Sequence, residues 1–491
     1  MNSQVEHEFH KASELLQEES YLANESVNPS RLSKPKLYLS ENRLLNFLLK
    51  LMEKIPTSLV ILFFLKCLVI EVLRIIITIP FTKSDQRVKI ANTSKLLCIT
   101  HFIGAPKDEF KELYFGKLFD NYNENEVSYF FINQTEIRES EVTQYLNRSF
   151  QSDFKVGGKS FSINVTIGLI MRQLRGTIKL LRTYNLESWG AIESKDRIYF
   201  AIRNQFSRAT LNNLLLTSSI LKYIKTSSVE KIVITFEGNA YESCLYEAIS
   251  RRNPEIEMIF YQHAPVTRDH IGIRNQLTRN LSNAIVGVSG DITKKMFQDE
   301  FAISSQQKMI ILGSTKFRFS KTPLPSVFKK VCLFAPEGTV CAVEEMLFVA
   351  LKLSAVMEDF HFIFRVHPVL KDHLETLVDL YNGKYLNFEI STQTIEVDFA
   401  RSGSCIYRGS SVAIEGAAFG VVPIFYSKDG KTSVDPISFR NRGQMQTSEI
   451  DQIISILKRL ETLNPSSWSE LATNLKSYSR DYFSPLKPLQ R

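Results

Sequence analysis

Paired cysteines, glycine-rich phosphate motifs and long apolar runs free of charge are what this chain lacks. Its six cysteines, Cys67, Cys98, Cys244, Cys332, Cys341 and Cys405, are scattered through 491 residues without one C-x-x-C pair. That excludes a zinc knuckle and a disulfide framework and fits a reducing cytoplasm. G-x-G-x-x-G, H-E-x-x-H and D-x-D are absent as well, so no metal or bound cofactor is expected to take part in the chemistry. "GGKS" at 157–160 ends like a phosphate loop, but the first glycine of such a loop would fall on Asp153 and no apolar strand is expected before it. No secretory signal opens the chain; residues 1–42 are polar, rich in Glu, Ser, Asn and Lys, and read as a disordered tail. Basic residues are dispersed and no recognition module stands out, so nucleic acid is not an expected partner.

What is present argues for a large folded protein. The length suits two domains with appendages, and a hydrophobic fraction of 44% excludes wholesale disorder. Sixty basic against 52 acidic residues, a net charge of +8, suggest anionic partners such as phosphates or a lipid surface.

Residues 44–81, "LLNFLLKLMEKIPTSLVILFFLKCLVIEVLRIIITIPF", are intensely apolar, yet Lys66, Glu71 and Arg74 interrupt them. On a helical wheel these three and Thr78 share one sector, which makes the helix amphipathic. With Arg43, Lys50, Lys54 and Lys83 flanking it, segment 43–83 is expected to lie in the plane of the cytoplasmic membrane surface. A spanning helix, or a helix packed on the first domain, are the other readings.

From Lys83 onward short apolar runs alternate with amphipathic stretches, the pattern of parallel α/β architecture. Strands are expected at 96–100, 128–132, 197–202, 231–236, 258–261 and 284–288, with helices at 209–224 and 240–251. The basic, Pro/Ser-rich stretch "GSTKFRFSKTPLPS" (313–326) marks a boundary, dividing 84–320 from 321–491. The second series runs strand 331–335, helix 341–357, strand 361–366, helix 370–381, strand 386–389, helix 394–400, strand 405–407, helix 412–419 and strand 422–426, closed by helices at 449–461 and 467–480. Two doubly wound domains place ligands just after their strands, where helix N-termini point.

Several residues with chemistry stand there. In "FIFRVHPVL" (362–370) Arg365 lies in the strand and His367-Pro368 ends it. Proline stops the ladder and sets the imidazole at the sheet's edge, where it can donate to a phosphate or, if charged, stabilise a departing one. A capping histidine is the alternative. In "IYRGSSVAIEGAAFGVVPIFY" (406–426) Gly409 permits a tight turn and Ser410 and Ser411 start a helix, forming an anion site with its first N–H groups. Glu415, one turn on, is within reach of a ribose hydroxyl. Gly338 and Thr339 in "LFAPEGT" (333–339) could add backbone donors, and Glu337 could contact ribose or base.

In the first domain "VITFEGNAYE" (233–242) ends an apolar strand in a carboxylate, Glu237, followed by Gly238. A charge there is paired, solvated or used. "YQHAPVTRDH" (261–270) places Gln262 and His263 after the next strand, and either Glu237 or His263 could act as general base toward an acceptor hydroxyl. His101, expected after the first strand in "LLCITHF", is a further candidate.

The order Glu237-Gly238, His367-Pro368, Ser410-Ser411 resembles the motifs of bacterial sialyltransferases and polysialyltransferases: D/E-D/E-G for the base, HP for the CMP phosphate, and a serine/threonine motif for the same phosphate. The "FEGNA…YQH…RVHP" layout is also similar to a family of bacterial surface-carbohydrate biosynthesis proteins over both domains. One departure is Phe236, where the motif prefers a second acid. The resemblance implies an α/β GT-B fold, two Rossmann-like domains facing a cleft behind an N-terminal amphipathic helical segment, with 84–320 the acceptor domain and 321–491 the nucleotide-sugar donor domain. It implies an inverting, metal-independent transferase at the inner membrane face, moving a nonulosonic-acid or Kdo-like sugar from a CMP-linked donor to a capsule, lipopolysaccharide or other lipid-linked glycan. CDP-glycerol glycerophosphotransferases share R-x-H-P and a Ser-Ser element, and would make His263 the base. UDP- or GDP-sugar donors, and a nucleotide-sugar-binding scaffold without activity, are the remaining alternatives.

Overall fold

The computed structural model describes residues 94–102, 112–133, 138–150, 152–157, 168, 169, 171, 208–267, 270–281, 284–318, 323–338, 340–367, 374–383, 385–428, 435–437 and 445–491. The tail 1–42, the apolar segment 43–83, the strand expected at 197–202, the boundary at 320/321, Thr339 and Pro368 lie outside them. Among the described residues no helix is long and apolar enough to cross a membrane.

The first domain is a parallel sheet of seven strands: β1 (Leu96–Phe102), β2 (Val127–Asn133), β3 (Asp153–Gly157), β4 (Lys231–Thr235), β5 (Glu257–Gln262), β6 (Ile285–Val288) and β7 (Met309–Ile311), ordered β3-β2-β1-β4-β5-β6-β7. Helices α1 (Glu139–Ser149), α2 (Arg208–Ile224), α3 (Ala240–Arg252), α4 (Ile271–Asn275) and α5 (Asp291–Asp299) accompany it. The second sheet has six parallel strands, β8 (Val331–Ala335), β9 (His361–Phe364), β10 (Phe388–Ile390), β11 (Ser404–Tyr407), β12 (Val422–Tyr426) and β13 (Met445–Thr447), ordered β10-β9-β8-β11-β12-β13. Its helices are α6 (Val340–Val356), α7 (Leu374–Tyr381), α8 (Ile395–Arg401), α9 (Val412–Ala417), α10 (Ile450–Glu461) and α11 (Pro465–Tyr482). Each sheet has the parallel, doubly wound strand order of a Rossmann-like domain.

Central strands such as "LLCITHF" and "VCLFA" are apolar throughout because helices cover both of their faces. Ile99, Phe130, Ile234 and Phe260 pack in one core and Phe334, Phe362, Leu353 and Trp468 in the other, all fully buried. The strands that sequence reading missed, β3, β7 and β13, are all sheet edges. An edge strand is covered less completely and its signal weakens: β3 carries Asp153 and Lys155, β13 carries Gln446, and β7 is only three residues long. β3 occupies Asp153–Gly157, the stretch that a phosphate loop ending in "GGKS" would need; residues 158–160 lie outside the described residues. α9 stops at Ala417 rather than at 419, because Ala418–Gly420 form a turn that ends with Gly420 at φ +78°.

The chain ends by crossing back. Trp468 and Leu475 of α11 belong to the second core, whereas the Tyr482 hydroxyl accepts from Val266 N–H at 3.2 Å. Ser484 N–H then donates to Ser289 O and Leu489 N–H to Leu118 O. Residues 483–491, assigned by sequence to the second domain, thus pack on the first. Gly290 permits the crossing, since a Cβ there would stand 2.3 Å from the Tyr482 carbonyl.

In each sheet the chain order reverses once, between β1 and β4 and between β8 and β11. At these points successive crossovers leave to opposite sides and open a crevice beyond the strand ends.

Candidate functional site

The first crevice holds Glu237. Phe236 is buried and its N–H still donates to Tyr261 O, after which the chain turns and exposes the Glu237 side chain by 41%. Gly238 makes the turn at φ +78°, and a Cβ on it would lie 2.6 Å from Ile273 N. The turn is held from beneath by Glu242, fully buried at the start of α3. Its carboxylate accepts from the backbone N–H groups of Glu237, Gly238 and Asn239 at 2.9–3.1 Å and from the Asn239 amide at 3.1 Å. Asn239 and Glu242 form a capping box, so the residues that start the helix also shape the loop that presents Glu237.

Glu237 and His263, rivals in the sequence, form one pair: His263 Nε2 is 3.5 Å from Glu237 Oε1. His263 is buried, with the Tyr114 ring 4.5 Å away in an edge-on contact. Burial, reinforced by the charge of Lys316, pushes its pKa down to about 4 even though Glu237 works the other way. The protein packed around the partly exposed Glu237 side chain opposes its charge, but at the acid pH where the carboxyl titrates the protonated imidazoles of His263, His101 and His270, with the Asn239 amide, outweigh that and hold it below its ordinary range. At neutral pH the pair is a carboxylate beside a neutral imidazole. His101 lies inside β1, which runs on to Phe102, rather than after it; it is buried against the Tyr241 hydroxyl at 3.2 Å. It therefore backs the site instead of facing a ligand.

A stability consequence follows from His263. Its unfolded-state pKa is near 6.5 and its folded value about 4, so between those pH values the unfolded chain binds the extra proton and the folded chain does not. Stability is full above pH 6.5 and falls as pH drops toward 4, by about 3 kcal/mol from this residue. His101, also lowered by burial, adds to the same window. Denaturant titrations at pH 7, 5.5 and 4.5 check this, with His263→Gln expected to flatten the dependence.

The second crevice gathers three loops. Gly338, after β8, lies against His367, so that a Cβ on Gly338 would stand 2.7 Å from His367 Nδ1. Gly409, after β11, sits at φ +62° against Glu337, where a Cβ would stand 2.8 Å from Glu337 Oε2. The three stretches singled out in the sequence thus meet at one place. His367 is half-buried, and burial together with Lys316 lowers its pKa. With its pKa held below the ordinary value, the imidazole of the unliganded chain is mostly neutral near pH 7.

Other expected ligands are already engaged. Arg365 donates through Nη1 to buried Asp398 at 2.8 Å and to Gln393 O, which ties down the strand end. Ser410 Oγ accepts from Val412 N–H at 3.3 Å. Ser411 stands at the N-cap of α9 but its side chain makes no capping bond; its hydroxyl donates to Glu415 Oε1 at 3.1 Å and accepts from Lys316 Nζ at 2.7 Å. Glu415, buried and expected on a ribose, also pairs with Arg318 Nη2 at 2.9 Å.

Lys316 and Arg318 were missed because "STKFRFS" reads as a boundary. They follow the last strand of the first domain and reach Ser411 and Glu415 of the second. The only signal was the excess of cations in that stretch. Glu242 was legible in principle, since N-x-x-E before an apolar run is a capping-box signature. Among the described residues no group of three His, Cys, Asp or Glu side chains is placed to hold a metal ion.

No protein-family model matches the chain, and no curated protein matches it. Solved structures resemble it at low identity. A glycosyltransferase from Rickettsia africae ESF-5 is 12% identical, with 80% of this chain and 95% of that one covered at a TM-score of 0.42. UDP-GlcNAc 2-epimerase from Neisseria meningitidis, bound to UDP-GlcNAc, is 10% identical over 79% and 97% at 0.43. The wall teichoic acid polymerase TagF, with CDPG, is 12% identical over 82% and 87% at 0.38. Likeness of this order carries no argument about what this chain does.

Proposed function

We propose that this protein is an inverting glycosyltransferase that moves a sugar of the nonulosonic or Kdo-like type from a CMP-activated donor to a surface polysaccharide or lipid-linked glycan. The observation that carries the proposal is the exposed carboxylate in the first crevice together with the His367 and Ser410-Ser411 loops in the second, the two joined through Lys316. Glu237 takes the proton of the acceptor hydroxyl as its oxygen attacks the anomeric carbon. The bond from that carbon to the phosphate oxygen breaks, and the electron pair leaves with CMP. His367 and the Ser410 and Ser411 loop donate to the developing phosphate charge. His263, buried behind Glu237, positions the carboxylate. The amphipathic pattern of 43–83 and its basic flanks support work at the inner membrane face.

A thermal-shift panel of CMP, CDP, UDP and GDP tests the donor class, because a nucleotide that binds the folded state raises its melting temperature by mass action. CMP is expected to stabilise the protein most. Selective stabilisation by UDP or GDP overturns the CMP assignment. Selective stabilisation by CDP favours the second reading, a CDP-glycerol-type glycerophosphotransferase, which the contact of His263 with Glu237 also accommodates. Hydrolysis of the donor without acceptor separates either enzyme from a binding scaffold.

A further inference from the structure

We propose that Lys316, supplied by the interdomain linker, is the cation that binds the donor's phosphate. This deepens the reading above and rests on it. The donor domain's own arginines near the loops are committed: Arg365 to Asp398 at 2.8 Å and Arg408 to Glu345 at 3.4 Å. Arg318 pairs with Glu415 at 2.9 Å and lies 3.5 Å from Glu396. Among these four cations, Lys316 is the one whose hydrogen bond goes to a neutral hydroxyl, Ser411 Oγ at 2.7 Å.

An ammonium in a partly buried cleft is costly without an anion. Glu415 is the carboxylate that acts most strongly on Lys316, but it is already paired with Arg318 at 2.9 Å and bonded by Ser411, and Lys316 itself makes no direct ion pair among the described residues. A phosphate placed between His367 and Ser411 would give the ammonium the direct anionic partner it lacks. The position suits that role, since the charge of Lys316 lowers His367 on one side and His263 on the other. Its charge is therefore felt in both crevices, by His367 beside the proposed phosphate and by His263 and Glu237 on the acceptor side. It is also compatible with chemistry that develops charge on phosphate without a DxD motif.

Paired binding of CMP and cytidine to the full chain, by calorimetry, isolates the phosphate. Wild-type protein is expected to prefer CMP, and Lys316→Met to lose about tenfold or more in CMP affinity while cytidine binding is unchanged. Lys316→Arg should keep part of the preference. The preference in wild type should weaken with salt, and that in the methionine variant should not. The melting temperature of Lys316→Met without nucleotide should equal or exceed that of wild type, because the substitution removes an ammonium that burial disfavours. An unchanged CMP-to-cytidine ratio in Lys316→Met overturns the inference while leaving the donor assignment standing. Wild-type protein that binds neither compound overturns the CMP reading itself, and this inference with it.

Discussion

Glu237→Gln is expected to abolish transfer while leaving nucleotide binding intact. The substitution keeps the shape of the side chain and removes its ability to accept a proton, and general-base catalysis contributes between about a hundredfold and ten-thousandfold. Exposure assigns the role: Glu237 opens to the crevice, whereas His263 is buried behind it. His263→Ala should therefore cost less than Glu237→Gln. Because the two side chains touch, the double variant should be barely worse than Glu237→Gln alone, as for residues that act as a unit. Initial rates of the three variants, with CMP affinity measured in parallel, check this. Unchanged turnover in Glu237→Gln removes it as the base, and a larger loss in His263→Ala passes the role to the histidine.

Glu242→Ala should unfold the turn that presents Glu237. Alanine leaves three backbone N–H groups at a helix start without their acceptor, and each buried unsatisfied group costs about 1–3 kcal/mol. With water reaching some of them, a loss of about 3 kcal/mol in unfolding free energy is expected, alongside lost activity. Burial pushes the Glu242 carboxyl upward in pKa, against the N–H donors that favour the anion. Glu242→Gln retains one oxygen to accept from the loop and should recover part of the stability. Denaturant titration of both variants decides it. A change within about 0.5 kcal/mol for alanine, the range of ordinary surface substitutions, means the carboxylate does not hold the loop.

The parallel α/β class, the central strands of both sheets and the candidate loops that follow them were legible in the residue pattern alone. Strands buried on both faces must be apolar throughout, and a glycine, a histidine or a pair of serines directly after such a run marks the loop beyond it. Edge strands β3, β7 and β13 escaped because partial burial weakens that signal. Only the tertiary structure decided which loops meet. It set Glu237 against His263, Gly338 against His367 and Glu337 against Gly409. It also turned Arg365 and Glu415 onto internal partners and carried Lys316 from a linker to Ser411. Local periodicity reports how a segment is buried, whereas the neighbours of a loop depend on strand order and on the side to which each crossover leaves. Those are properties of the assembled sheets, and both crevices lie where that order reverses.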